Sequence, residues 1–162
     1  MIDGNSMPWY VGGLYFECQQ CGECCSGPGE GYIWVSRPEI QIIADFLKIT
    51  PGQLRQECLR RVGLRTTVIE QVGTKDCIFL QESNGQKKCS IYPVRPSQCR
   101  AWPFWSSNLA SLNAWNKAAQ KCSGINQGKY YSFEEIERIR KKKKMATKTR
   151  SHEERRNESE LK

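Results

Sequence analysis

Histidine is almost missing from this chain: the single one, His152, lies in a run of charged residues. Its scarcity argues against mixed Cys/His metal sites and against any nucleophile–histidine pair in a folded interior. Long apolar runs are missing too. The patch from Val11 to Phe16 is short and broken by two glycines, and nothing approaches the ~18 apolar residues that a membrane span needs. Met1-Ile2-Asp3-Gly4-Asn5-Ser6 has neither a basic leader nor an apolar stretch, so no secretory signal is read there. Gly27-Pro28-Gly29-Glu30-Gly31 is glycine-rich but lacks the Gly-Lys-Ser/Thr ending of a phosphate loop, and is read as a turn. Together these absences argue against a membrane span and against acyl or phosphoryl transfer. They make the cytoplasm, where thiols stay reduced, the expected location.

Positive charge is plentiful, a net +8 over 162 residues, but it is unevenly placed. From Arg138 onward there are 11 Lys/Arg against 4 Glu, whereas residues 1–137 carry 14 Lys/Arg against 13 Asp/Glu. The basicity belongs to a tail. Residues 1–140 are therefore read as one cysteine-rich domain and 141–162 as a basic tail. That tail is too poor in large apolar residues to offset its ordering entropy, so it is expected to be disordered or a frayed helix. The run Lys141 to Lys144 reads as solvated, with at most weak, salt-sensitive contacts to nucleic acid. No other nucleic-acid partner and no membrane partner is expected.

What the chain does have is cysteine, nine in all, with Cys18, Cys21, Cys24 and Cys25 crowded into one short stretch. Cysteines serving only as small hydrophobes would be scattered, and an odd count does not fit a complete disulfide framework. Around them the pattern reads as α+β, small and irregular: a few short strands and a hairpin, with three to four helices, organised around a cysteine metal centre. Gly31 to Val35 reads as a strand. Ser36-Arg37-Pro38-Glu39 reads as a capping box opening a helix with Ile40, Ile43, Ala44 and Leu47 on one face. Thr50-Pro51-Gly52-Gln53 repeats that start signal, with Leu54, Cys58 and Val62 along the next helix. Cys58 is thus placed as a core residue rather than a ligand. Residues 66–72 and Cys77 to Leu80 read as strands, Asn84-Gly85 as a hairpin turn, and Lys88 to Tyr92 as the returning strand. Leu109, Leu112, Trp115 and Ala119 form a helical stripe that delivers Cys122, and Ser132 caps a last helix reaching Arg140.

The candidate metal ligands are Cys18, Cys21, Cys24, Cys25, Cys77, Cys89, Cys99 and Cys122. All-thiolate sets select zinc, iron or iron–sulfur clusters. In an extended segment neighbouring side chains point to opposite sides, so Cys24 and Cys25 are expected to diverge and serve two sites or two edges of one polynuclear site. Cys-x2-Cys-x2-Cys also matches the first three ligands of a bacterial ferredoxin run, whereas zinc ribbons use two separate Cys-x2-Cys knuckles. The spacing therefore tilts toward an iron–sulfur cluster, [4Fe–4S], over zinc. Arg95 and Arg100 flank Cys99, and either offset thiolate charge, or cap backbone carbonyls or pair with an acid such as Asp76. Tyr92, Trp102, Phe104 and Trp105 read as core packing that also walls the sulfurs from water.

At these residues the chain resembles the bacterial and archaeal family of zinc- or iron-chelating cysteine-cluster proteins. Their Cys-x2-Cys-x2-Cys-Cys run is followed by a Cys, a Cys-x-Ile-Tyr, an Arg-Pro-x-x-Cys-Arg and a final Cys. Here these are Cys18, Cys21, Cys24 and Cys25, then Cys77, Cys89-Ser90-Ile91-Tyr92, Arg95-Pro96-Ser97-Gln98-Cys99-Arg100 and Cys122, over residues 16–125. The resemblance implies metal binding and leaves Cys58 outside the pattern. Flagellin lysine N-methylases are similar in this cluster alone, which implies an iron–sulfur centre there. The expected function is an iron–sulfur protein in electron transfer, redox chemistry or maturation, working with a redox or protein partner. The alternative is a zinc-binding structural or interaction module without catalysis. A third is a component of a lysine-methylating or other modifying enzyme.

Overall fold

A computed structural model describes residues 7–27 and 31–142. In chain order they form β1 (Leu14–Phe16), β2 (Trp34–Val35), α1 (Arg37–Leu47), α2 (Pro51–Cys58), β3 (Leu59–Val62), β4 (Arg65–Val68), β5 (Leu80–Ser83) and β6 (Gln86–Cys89). Then come α3 (Ser97–Arg100), α4 (Leu112–Lys121), β7 (Lys129–Tyr131) and helical residues 133–142, α5. Glu23–Cys25 and Tyr92–Val94 are 3-10 turns. The α+β class read from the sequence is the class adopted, with three small antiparallel sheets ordered β1-β7, β2-β4-β3 and β5-β6. The chain divides into two compact units, one from described residues 7–19 and 101–142, the other from 20–100. Of the expected tail, Lys141 and Lys142 continue α5, and 143–162 lie outside the described residues, as do 28–30 of the expected glycine turn. Among the described residues no helix is long and apolar enough to cross a membrane.

The first unit is closed by a ladder that no local signal announces: Leu14 pairs with Tyr131 and Phe16 with Lys129, across more than a hundred residues. Gly124 permits this approach, since a Cβ there would strike the Glu17 carbonyl oxygen, and the two backbones bond through Glu17 N to Gly124 O at 3.0 Å. The core is aromatic. Phe104 stacks on Trp115 at 6.0 Å and 12°, and Tyr10, Phe16 and Ile136 pack into the same cluster. Ser111 caps α4 by accepting from Ala114 N. Ser132 and Glu135 cap α5 reciprocally, as expected from the sequence.

The second unit is mostly aliphatic inside, with Phe79 as its one buried aromatic among the described residues. On α1, Ile40, Ile43 and Ala44 recur at helical spacing and are fully buried, each large side chain contributing about 1.5–3 kcal/mol. They meet Val35, Leu54, Leu59, Val68 and Ile91. Both predicted capping boxes form, Ser36 with Glu39 and Thr50 with Gln53. α2 stops at Cys58 rather than running on to Val62. Leu59 turns extended so that it can pair with Val68 in the buried sheet face, and Gly63 at φ 59° turns the chain back into β4. The expected strand at 66–72 begins one residue earlier and is shorter, while Gly31 to Val35 contracts to two residues. Asn84 and Gly85 both adopt positive φ, the hairpin turn their types favour.

Candidate metal centre

Gly22 at φ 75° opens the 3-10 turn Glu23–Cys25, and Cys25 N donates to Gly22 O at 2.9 Å. A side chain at Gly22 would collide with Leu80 and Lys87. The turn corrects the expectation that Cys24 and Cys25 diverge. The segment is coiled rather than extended, and the two sulfurs stand 3.8 Å apart.

This turn is laced to the segment bearing Cys77. Cys77 N donates to Cys25 O at 2.8 Å. Gly27 N donates to Asp76 Oδ1 at 2.7 Å, an approach so close that a Cβ on Gly27 would strike the Thr74 carbonyl. Lys87 Nζ lies 3.8 Å from Asp76 Oδ2 and donates to Ser26 Oγ at 3.2 Å. Asp76 therefore pairs with Lys87 rather than with an arginine of the Arg-Pro segment. The carbonyl of Cys77 accepts from Gln71 Nε2 at 3.2 Å, and Cys89 sits opposite Leu80 at the end of the β5–β6 hairpin.

Cys99 rides on α3, four residues long, too short to hold itself as a helix. Its start is fixed from outside. Ser97 N donates to Glu39 Oε1 at 2.7 Å, while the other oxygen of that carboxylate takes the Ser36 N–H at 2.7 Å. Gln98 accepts from Trp34 N at 3.1 Å and donates to Tyr32 O at 2.7 Å. Glu39 is legible in the sequence as a cap, but its second task is not, because Ser97 is 58 residues away. Gln71, Gln98 and the Asp76–Lys87 pair carried no sequence signal as positioning residues.

Electrostatics join six sulfurs, since burial raises Cys58 and the charges of Glu57 and Cys77 add to that rise, and the other five interact more closely. The Cys25 thiol contacts Cys24, and the neighbouring sulfurs of Cys24 and Cys77, together with burial, push its pKa far up. The same contact, opposed by burial and helped by Arg95, lowers Cys24 to about 7. The neighbouring Cys25 likewise outweighs burial at Cys77, with the Phe79 and Leu80 backbones assisting, and lowers that thiol. Burial raises Cys89 and Cys99, and the charges of Cys77 and Cys24 act on both while Arg95 opposes. Arg95 thus plays both parts read for it: it feels the thiolates, and its Nε donates to Tyr92 O at 3.0 Å with the guanidinium 3.6 Å from that ring.

The remaining cysteines stand differently. Cys21 is exposed in the second unit. Cys58 packs against the aliphatic core, as its helical placement implied. Cys18 and Cys122 belong to the first unit, Cys122 buried in its aromatic core and Cys18 partly buried against it, and the Trp102 indole donates to Cys122 Sγ at 3.4 Å. Among the described residues no three side chains form a ready-made ion cage. The donor set nevertheless fits a soft metal. Tetrahedral zinc with bonds of ~2.3 Å places neighbouring sulfurs about 3.8 Å apart, the Cys24–Cys25 separation.

A family model described as "CxxCxxCC: Putative zinc- or iron-chelating domain" matches residues 17–123. An uncharacterized protein of Methanocaldococcus jannaschii is 35% identical over 95 residues, 59% of this chain and 48% of that relative. The chain thus spans about half the length of that curated relative. No solved structure matches.

Proposed function

The chain belongs to the family of zinc- or iron-chelating CxxCxxCC domains, and from that membership we propose that the thiols of Cys24, Cys25, Cys77, Cys89 and Cys99 chelate a zinc or iron ion. The observation that carries this reading is the contact of the Cys24 and Cys25 sulfurs, 3.8 Å apart, on a turn that the Cys77 N–H joins at 2.8 Å through Cys25 O. Two thiolates in contact suit one ion. In a four-iron cluster each iron takes one cysteine, so the thiolates stand at separate corners. Cys18, Cys21 and Cys122 remain proposed donors as members of the same motif. A bound ion would polarise its sulfurs and tie the loops of 22–27 and 74–77 together, adding binding free energy to folding free energy. Clustered reduced thiols suit the cytoplasm.

An iron–sulfur cluster with a redox or maturation role is the second reading. It is favoured by the number of sulfurs that interact with Cys77 or Cys24, more than the four a tetrahedral ion takes. Purification without oxygen, followed by metal and sulfide analysis and a visible spectrum, separates the two. A single zinc or iron per site without labile sulfide supports the first; a brown protein with stoichiometric sulfide supports the second. Cys25→Ser is expected to weaken metal binding by about 10- to 100-fold or more, a loss on the scale of disturbed metal-site partners. Undiminished affinity in that variant would overturn chelation at these sulfurs.

A further inference from the structure

Away from the sulfurs, the sheet of β2, β3 and β4 gathers residues that are far apart in the sequence. Arg60 and Trp34 both pair with Thr67, and Arg65 lies two residues from Thr67 along β4, so the three share one face. The opposite face sends Val35, Leu59 and Val68 into the core. Tyr32 stacks on Trp34 at 4.9 Å and 13°. Arg65 covers Trp34 at 3.9 Å, and Arg60 stands over Tyr32 at 5.5 Å. One end of this ladder is therefore tightly capped. The other is loose, with Tyr32 47% exposed. The rings are held in place by Gln98, which bonds the backbone of both residues that carry them.

We propose that this face binds single-stranded nucleic acid, with a base stacking at the Tyr32–Arg60 end and the phosphates drawn to Arg60 and Arg65. A flat ring beside a cation matches both things an unpaired strand presents, a π-face and a phosphate, and guanidinium planes accept stacked bases as aromatic rings do. Duplexes withhold their base faces. Acidic peptides supply charge but no ring to continue the stack. The charge balance of residues 1–137 conceals this patch, because its two arginines and two aromatics come together only through strand pairing.

The test is fluorescence anisotropy of the full chain, purified without oxygen, with labelled oligouridylate and oligothymidylate; the pair of probes tells RNA from DNA. The basic tail attracts any polyanion, so the deciding variant leaves charge untouched. Tyr32→Ala is expected to weaken oligonucleotide binding about tenfold, the scale of one lost stacking contact. Tyr32→Phe, which keeps the ring, should restore it, and Arg60→Gln should weaken binding and flatten its salt dependence. Circular dichroism verifies that each variant is folded. Equal binding by Tyr32→Ala and the parent would overturn the proposal, as would failure of both oligonucleotides to bind. Equally effective competition by polyglutamate would show a surface that reads charge alone, and would overturn it too.

Discussion

The two units solve the problem of holding a cysteine in opposite ways. Residues 7–19 and 101–142 bury Cys122 in an aromatic core beside Phe104 and Trp115, with an indole N–H aimed at its sulfur. In residues 20–100 the core is mostly aliphatic, and Cys58, Cys77 and Cys89 are only partly buried against it. There Cys24, Cys25 and Cys99 sit on a single 3-10 turn and a four-residue helix, elements that cannot persist alone. Polar tethers position them instead: Asp76 to Gly27, Glu39 to Ser97, Gln98 to β2. Packing fixes a buried sulfur without aiming it, whereas hydrogen bonds at a surface turn can set a direction.

The sharpest way to break this contrast is to remove packing from the first unit. Trp115→Ala takes out a ring that is 1% exposed and bonded to Asn126. A loss of about 3–5 kcal/mol is expected in chemical denaturation; a loss below that range would mean the aromatic core is not what holds the unit.

Next comes the tether. Glu39→Ala should cost about 1–2 kcal/mol, the value of a helix cap, and should speed labelling of Cys99 in metal-free protein. Burial pulls the Glu39 pKa up, but the bonds from Ser36 and Ser97 outweigh it and the carboxyl titrates below its ordinary value. A depressed carboxylate stabilises the fold above its unfolded-state pKa, and that stability is lost as the pH falls through the folded-state pKa. Glu39→Gln should therefore show a shallower acid limb in a stability–pH curve than the parent. The smallest effect belongs to Cys58→Ala. Metal content should be unchanged and stability should drop by about 1 kcal/mol; loss of metal would move Cys58 from core to ligand.

How much of this was legible depended on the range of the interaction. Ser36 with Glu39, Thr50 with Gln53, and Asn84-Gly85 declare themselves within four residues, and all three form where read. The strand Leu59–Val62 was hidden because Arg60 and Arg61 look helical and no breaker follows Cys58; only pairing with β4 reveals it. The β1–β7 ladder joins segments whose own residues say nothing of each other. At the sulfurs, residue types named the donors, but the direction of Cys24 and Cys25 was misjudged because Gly22 starts a turn where extension was assumed. Asp76, Glu39 and Gln98 act across 49, 58 and 64 residues, beyond any local pattern.

The contact between Cys24 and Cys25 also bears on survival in air. Consecutive α-carbons lie about 3.8 Å apart across a trans peptide, shorter than the about 4.4–6.8 Å that an unstrained disulfide spans. The pair touches, yet it cannot close on itself without strain. Given an oxidant, a disulfide in the metal-free protein then forms more readily with another cysteine of the chain, or by exchange with an outside disulfide, than by closure of Cys24 on Cys25.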